Sequence, residues 1–74
     1  MNKDILEVWR KICVNLNNEG YSHSLSVNKD SYGYSVWLVD ENNFCQKTYI
    51  EKASQQKTLI FLSAFLEGLK LGIL

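Results

Sequence analysis

Proline is absent from the chain, so this residue interrupts no helix or strand and no native cis-proline slows folding. An excess of positive charge is also absent, because eight basic residues stand against eight acidic ones. Proteins that bind nucleic acid directly usually carry a basic excess that neutralises phosphates, so direct nucleic-acid binding is disfavoured. The longest uncharged apolar run, 58–66, is half a membrane span, and no apolar run of signal-peptide length follows Met1. We therefore expect a cytoplasmic protein.

Side chains that carry catalysis or bind metals are scarce. His23 is the only histidine, and a lone histidine on a strand is more often a packed or edge residue than a base. Cys13 and Cys45 are too few for a disulfide framework or a zinc site, and their apolar surroundings predict two reduced, mostly buried thiols. The chain lacks a glycine-rich phosphate loop, a nucleophile elbow and a cluster of metal ligands. We expect no catalytic residue, no cofactor and no metal, and so not an enzyme.

The length of 74 residues allows one domain, spanning 1–74, and an apolar content of 46% indicates a folded chain. A domain this small buries only about 60% of its unfolded surface, so its core is thin. Small domains of this kind often gain stability from a partner or from a second copy of themselves.

Apolar residues with a helical period predict helices over 3–17 and 54–71. The first helix carries one apolar stripe, formed by Ile5, Trp9, Ile12 and Leu16. The second carries another, formed by Leu59, Leu62, Leu66 and Leu69. Asn2 or Asp4 is expected to cap the first helix and Ser54 the second, and Gly20 suits the left-handed position after the first.

Between the helices the period changes to two, which predicts strands over 21–28, 34–40 and 44–50. The segments between these strands are short and consist of turn residues, so we expect an antiparallel meander. The predicted fold is therefore α+β, in the order α-β-β-β-α, with a three-stranded antiparallel sheet and both helices packed on one face.

Small residues repeat every four positions in the second helix, at Ala64, Gly68 and Gly72. Such a stripe lets another backbone approach closely. Packing within the chain itself is the favoured interpretation, and contact with a second copy is the alternative. A homodimer would use either this stripe or the free face of the sheet.

Two helices cover only one face of a three-stranded sheet, so the other face is free. We assign Leu25, Val27, Val36, Leu38, Phe44 and Ile50 to the core side. The outer side then holds Ser22, Ser24, Ser26, Ser35, Trp37, Val39, Cys45, Lys47 and Tyr49. Aromatic anchors among small hydroxyls are typical of surfaces that recognise proteins. A slip of the middle strand by one residue would instead place Trp37 in the core and Val36 outside.

The element order resembles that of the double-stranded RNA-binding domain. The signature of that family is a lysine cluster at the start of the second helix, which contacts phosphates. In this chain the corresponding stretch, 54–58, contains only Lys57, with Lys52 nearby. The resemblance is therefore one of topology, and it implies a nucleic-acid-associated module as the alternative function.

The second half of the chain resembles small phage-encoded inhibitors, including type II anti-CRISPR proteins. The similarity lies in the length, in the turn at 39–43 and in the segment 61–68, FLSAFLEG. Those inhibitors are typically strongly acidic and mimic DNA on the surface of the nuclease, whereas this chain is neutral. The resemblance implies a non-catalytic, anti-CRISPR-like inhibitor that occludes a surface of a host defence protein.

Five residues are the predicted contacts with that partner. Trp37 and Tyr49 are the aromatic anchors on the outer sheet face. Tyr32, Asp40 and Glu41 lie in the adjacent turns and supply polar contacts at the rim.

Overall fold

The computed structural model describes residues 1–72 and contains two helices and three strands. In chain order the elements are α1 (Lys3–Asn18), β1 (Ser24–Asp30), β2 (Gly33–Val39), β3 (Cys45–Ala53) and α2 (Gln55–Leu71). The strands form one antiparallel sheet with the spatial order β1-β2-β3. The predicted α+β fold, in the order α-β-β-β-α, is confirmed.

Side-chain caps define where both helices begin. The Oδ1 atom of Asn2 accepts hydrogen bonds from the backbone N–H groups of Asp4 at 2.9 Å and Ile5 at 3.2 Å, so Asn2 rather than Asp4 caps α1. Ser54 Oγ accepts from the backbone N–H of Lys57 at 3.1 Å and caps α2 as predicted. Gly20 adopts the left-handed conformation after α1 that its sequence position indicates.

One hydrophobic core joins both helices to the same face of the sheet. Its buried members are Ile5, Ile12, Leu16, Leu25, Tyr34, Val36, Leu62 and Leu66. Val27, Leu38 and Ile50 pack against this core, as assigned from the sequence. Val36 is fully buried, so the alternative register of the middle strand, with Val36 outside, is wrong.

Strand boundaries differ from the prediction at the first hairpin. β1 begins at Ser24 rather than 21, and it continues beyond its predicted end at 28 through Lys29 and Asp30. These two residues pair with Tyr34 and Gly33, so cross-strand pairing outweighs their turn propensity. The turn itself shrinks to residues 31–32.

Irregular pairing along β3 changes which side chains face the core. The register between β2 and β3 shifts at three places, and Lys52 has a left-handed φ of 50°. At each shift, β3 has one more residue than β2 between two successive paired positions. This extra residue interrupts the strict alternation of β3 side chains between the two sides of the sheet. Phe44 lies before the observed strand and is 68% exposed, so its assignment to the core is wrong.

The stripe of small residues in α2 does not form one exposed surface. Gly68 is buried within the single chain, whereas Ala64 and Gly72 are exposed. Packing within the chain, which was the favoured interpretation, accounts for Gly68. A second copy could not reach this residue without rearrangement, so the stripe is not a ready-made dimer contact.

Candidate partner-binding face

The side of the sheet that faces away from the helices is the outer face. Pairing between β1 and β2 runs without interruption from Ser24–Val39 to Asp30–Gly33, so side chains alternate strictly between the two sides. Because Val36 and Leu38 face the helices, the neighbouring residues of β2 face outward. The outer face comprises Ser24, Ser26, Asn28, Ser35, Trp37, Val39, Cys45 and Thr48.

Trp37 lies at the centre of the outer face. Its backbone pairs with Ser26 on one side and Thr48 on the other. The indole is half-buried and takes no part in the core beneath the helices. The outward placement of Trp37 predicted from the sequence is therefore confirmed.

Val39 is a buried apolar residue of the outer face. It is 4% exposed although it does not belong to the core cluster. Cys45 and Thr48 lie beside it on β3, with Cys45 Sγ 3.9 Å from Thr48 Oγ1. Cys45 is exposed, so the prediction that it is mostly buried is wrong, since its side chain lies on the side that no helix covers.

Tyr49 lies on the helix side of the sheet, so its predicted position on the outer face is wrong. Its ring centroid is 5.5 Å from that of Phe61 and 5.8 Å from that of Phe65, and both phenylalanines belong to α2. The physical reason is the register shift between Val36 and Trp37, where Ile50 and Thr48 are the paired residues of β3 and Tyr49 is inserted between them. As a result Tyr49 and Ile50 both pack against the core.

The three polar rim residues are not brought together. Tyr32 lies in the β1–β2 turn, and Asp40 and Glu41 lie in the β2–β3 connection. These turns are at opposite ends of β2, about 20 Å apart at the usual rise of a strand. A partner centred on Trp37 can therefore contact one of these turns more readily than both.

The carboxylate of Asp40 stabilises its own turn through hydrogen bonds. Its Oδ1 accepts hydrogen bonds from the backbone N–H groups of Asn42 at 2.9 Å and Phe44 at 3.0 Å. Its Oδ2 accepts from Gln46 Nε2 at 3.0 Å. Glu41 is exposed, and Tyr32 is 75% exposed with Lys52 Nζ 5.7 Å from its ring centroid. Glu41 and Tyr32 are thus accessible, whereas the carboxylate of Asp40 is occupied by the turn.

Reactive groups are dispersed in residues 1–72. Cys13 and Cys45 are both free, and no group of three or more histidine, cysteine or acidic side chains is placed to hold a metal ion within this range. Burial raises the pKa of the Cys13 thiol, and a hydrogen bond with the Leu25 backbone offsets part of that rise. His23 is exposed, with Nδ1 3.4 Å from Ser22 Oγ.

A concave site, the aromatic pocket, lies on the helix side of the sheet. It has a volume of about 340 Å³. Its lining residues are Leu16, Tyr21, His23, Leu38, Tyr49, Phe65 and Leu69. Sequence reasoning missed this site, because it depends on the inward position of Tyr49. The wide apolar arc of α2, which includes Phe61 and Phe65, is the signal that was available.

Trp9 is another residue whose role the sequence pattern did not reveal. Its indole Nε1 donates a hydrogen bond to the Leu25 carbonyl oxygen at 2.7 Å. Leu25 belongs to β1, which is an edge strand of the sheet. The helix thus satisfies one backbone acceptor of that edge, which leaves fewer groups for pairing with another strand.

Comparison with known proteins found no match: no family model, no curated protein and no solved structure corresponds to this chain. Among residues 1–72 no helix is both long and apolar enough to cross a membrane.

Proposed function

We propose that the chain is a non-catalytic binding protein that acts by occupying a surface of a protein partner. The observation that carries this proposal is the outer face, where Trp37 stands half-buried among serine and threonine side chains with no helix above it. Tryptophan is among the residues that contribute most to binding energy at interfaces, and hydroxyl side chains adapt to different contacts at low cost.

Charge supports a protein as the partner. The chain has a formal net charge of zero, so neither general attraction to phosphates nor acidic mimicry of DNA follows from its composition. A neutral face with one aromatic anchor instead gains affinity from shape complementarity to the partner and from the desolvation of a few contact residues. Glu41 or Tyr32, at opposite ends of β2, supplies the polar rim.

The proposed partner class is a host defence protein, and the proposed place of action is the host cytoplasm. The resemblance of 39–43 and 61–68 to type II anti-CRISPR inhibitors supports this choice. In this proposal the chain inhibits the nuclease by covering a surface that the nuclease needs, without any chemical step.

The outer face is also the remaining candidate for contact between two copies of the chain. Light scattering at micromolar concentration separates a monomer from a dimer.

A phage-plating assay tests the inhibitory function. The chain is expressed in bacteria whose type II CRISPR system targets a phage. The expected result is restored plaque formation with the natural sequence and with Phe44→Ala, which removes an exposed aromatic outside the outer face. Trp37→Ala is expected to lose the effect while remaining folded. Full protection of the bacteria in the presence of the natural sequence would contradict inhibition of that system.

A nucleic-acid-associated module is the second candidate function. The observation that favours it is the position of Lys29 and Lys52 beside the β1–β2 turn, each with its ammonium about 6 Å from a tyrosine ring centroid, at the end of the sheet where α2 begins. Fluorescence anisotropy with a short RNA duplex at two salt concentrations tests it. Binding that weakens steeply with salt and is lost in Lys29→Gln/Lys52→Gln would support this function over the first.

A further inference from the structure

We infer that the aromatic pocket binds a small molecule that combines a planar aromatic ring with a single negative charge. This site lies on the opposite side of the sheet from Trp37. The inference therefore stands apart from the proposed function, and both surfaces can be occupied at the same time.

The construction of the pocket favours a small ligand over a flat protein surface. Its volume of about 340 Å³ lies at the lower end of the range typical of small-molecule sites. Four of the five elements of the fold contribute to it: Leu16 from α1, Leu38 from β2, Tyr49 from β3, and Phe65 and Leu69 from α2. The connection between α1 and β1 adds Tyr21 and His23 at the remaining side. The shape of the pocket is thus set by the packing of the whole fold rather than by one loop.

The geometry of the aromatic walls favours a planar ring. The rings of Tyr49 and Phe65 meet edge to face, with centroids 5.8 Å apart and an angle of 66° between their planes. A third ring placed beside this pair, in the corner that the two rings form, can stack on one and meet the other edge-on, which are the two arrangements that aromatic pairs prefer. Leu16, Leu38 and Leu69 complete an apolar lining.

The charge of the ligand follows from the groups around the pocket. None of its lining residues carries a carboxylate. Lys47 pairs with Leu38 across the sheet, and its Nζ lies 5.2 Å from the Tyr49 ring centroid, so an ammonium flanks the pocket. Among residues 1–72 the one ion pair is Glu7–Lys11, so no side-chain carboxylate in this range forms an ion pair with Lys47. The imidazole of His23 and the hydroxyl of Tyr21 add hydrogen-bonding groups to the lining.

Titration of the isotopically labelled 74-residue chain, followed by NMR, tests the inference with two matched probes. The probes are 2-naphthoate, which carries the charge, and 2-naphthylmethanol, which has the same ring without it. We expect saturable shifts at the amides of Leu38, Tyr49 and Phe65 with both probes. Affinity for 2-naphthoate should be about threefold higher, as a single exposed charge pair allows.

Removal of the Lys47 charge tests the preference for an anion separately from the binding of an aromatic ring. Lys47→Gln should remove the preference for 2-naphthoate without weakening 2-naphthylmethanol, because Lys47 is exposed and does not line the pocket. The control is Lys70→Gln, which changes an exposed lysine next to Leu69 and should leave both affinities unchanged. The inference is overturned if neither probe gives saturable shifts, if the shifts centre on Trp37, or if Lys47→Gln leaves the preference for the anion intact.

Discussion

At the scale of single residues, polar side chains of this small domain are used to fix turns and helix ends. Asn2, Ser54 and Asp40 each accept hydrogen bonds from backbone N–H groups that would otherwise lack a partner in the protein. The buried hydroxyl of Thr58 donates to the Ser54 carbonyl oxygen at 2.8 Å, so this polar group enters the core with its hydrogen bond made. The caps were readable from the sequence, because capping needs only a particular residue type next to a periodic segment.

Removal of the Asp40 carboxylate should destabilise the fold. Asp40→Ala eliminates three hydrogen bonds within the β2–β3 connection, and we expect the free energy of unfolding to fall by about 1–2 kcal/mol. Glu41→Ala is the matched control, since it removes the adjacent exposed carboxylate and should change stability by less than about 0.5 kcal/mol. Chemical denaturation followed by circular dichroism measures both. An equal decrease in the free energy of unfolding for the two variants would contradict the stabilising role of the Asp40 carboxylate.

The two thiols should differ in reactivity. Cys45 is exposed to the reagent, whereas Cys13 is half-buried. Burial also raises the pKa of the Cys13 thiol, which lowers the fraction of Cys13 present as the reactive thiolate at pH 8. We expect iodoacetamide to modify Cys45 first, with Cys13 following only as the pH rises or the chain unfolds. Mass spectrometry of the digested protein locates the label. A faster reaction at Cys13 than at Cys45 in the native state would contradict the half-buried position of Cys13.

At the scale of elements, what the sequence pattern could predict depended on how regular each element is. β1 and β2 pair without interruption, so a period of two placed Val36 inward and Trp37 outward correctly. β3 shifts register three times, and a period of two failed there for Tyr49. A bulge is a property of two strands paired together, so one strand's sequence does not reveal it. The aromatic pocket was missed for the same reason, because it depends on Tyr49 facing the helices.

The close approach of the β1–β2 hairpin to β3 requires a glycine. Gly33 has φ 134°, and a Cβ atom there would lie 2.6 Å from the Ala53 carbonyl oxygen and 2.9 Å from the Lys52 carbonyl carbon. We expect Gly33→Ala to lower the free energy of unfolding by about 3 kcal/mol, because backbone strain and a clash with backbone atoms coincide.

Gly20→Ala is the control for that substitution. Gly20 also has a positive φ, of 80°, but apart from its two neighbours in the chain no residue has an atom within 4 Å of the position its Cβ would take. Its expected cost is about 1 kcal/mol from backbone conformation alone. Thermal denaturation of both variants gives the comparison, and a smaller loss at Gly33 than at Gly20 would show that the hairpin is not held against β3 as described.

At the scale of the whole molecule, the sheet separates two surfaces of different character. The helix side holds the core and the aromatic pocket, and the outer face holds Trp37 and the buried side chain of Val39. The sequence predicted the fold class and the existence of a free face, because both follow from the order and number of elements. It did not predict which candidate residues come together. Of the five, only Trp37 lies on the outer face. Tyr49 faces the helices, and Tyr32 and the Asp40–Glu41 pair lie at opposite ends of β2.

Affinity capture with matched variants tests the central claim, that the chain works by binding a protein through the outer face around Trp37. The immobilised baits are the natural sequence, Trp37→Ala and Phe44→Ala, each first confirmed to be folded by circular dichroism. The proteins that they capture from a lysate of host bacteria are quantified by mass spectrometry. We predict at least one protein that the natural sequence and Phe44→Ala retain equally and that Trp37→Ala retains at least about tenfold less, as expected for loss of an interface anchor. Retention of every captured protein at the same level by Trp37→Ala and the natural sequence would contradict the claim.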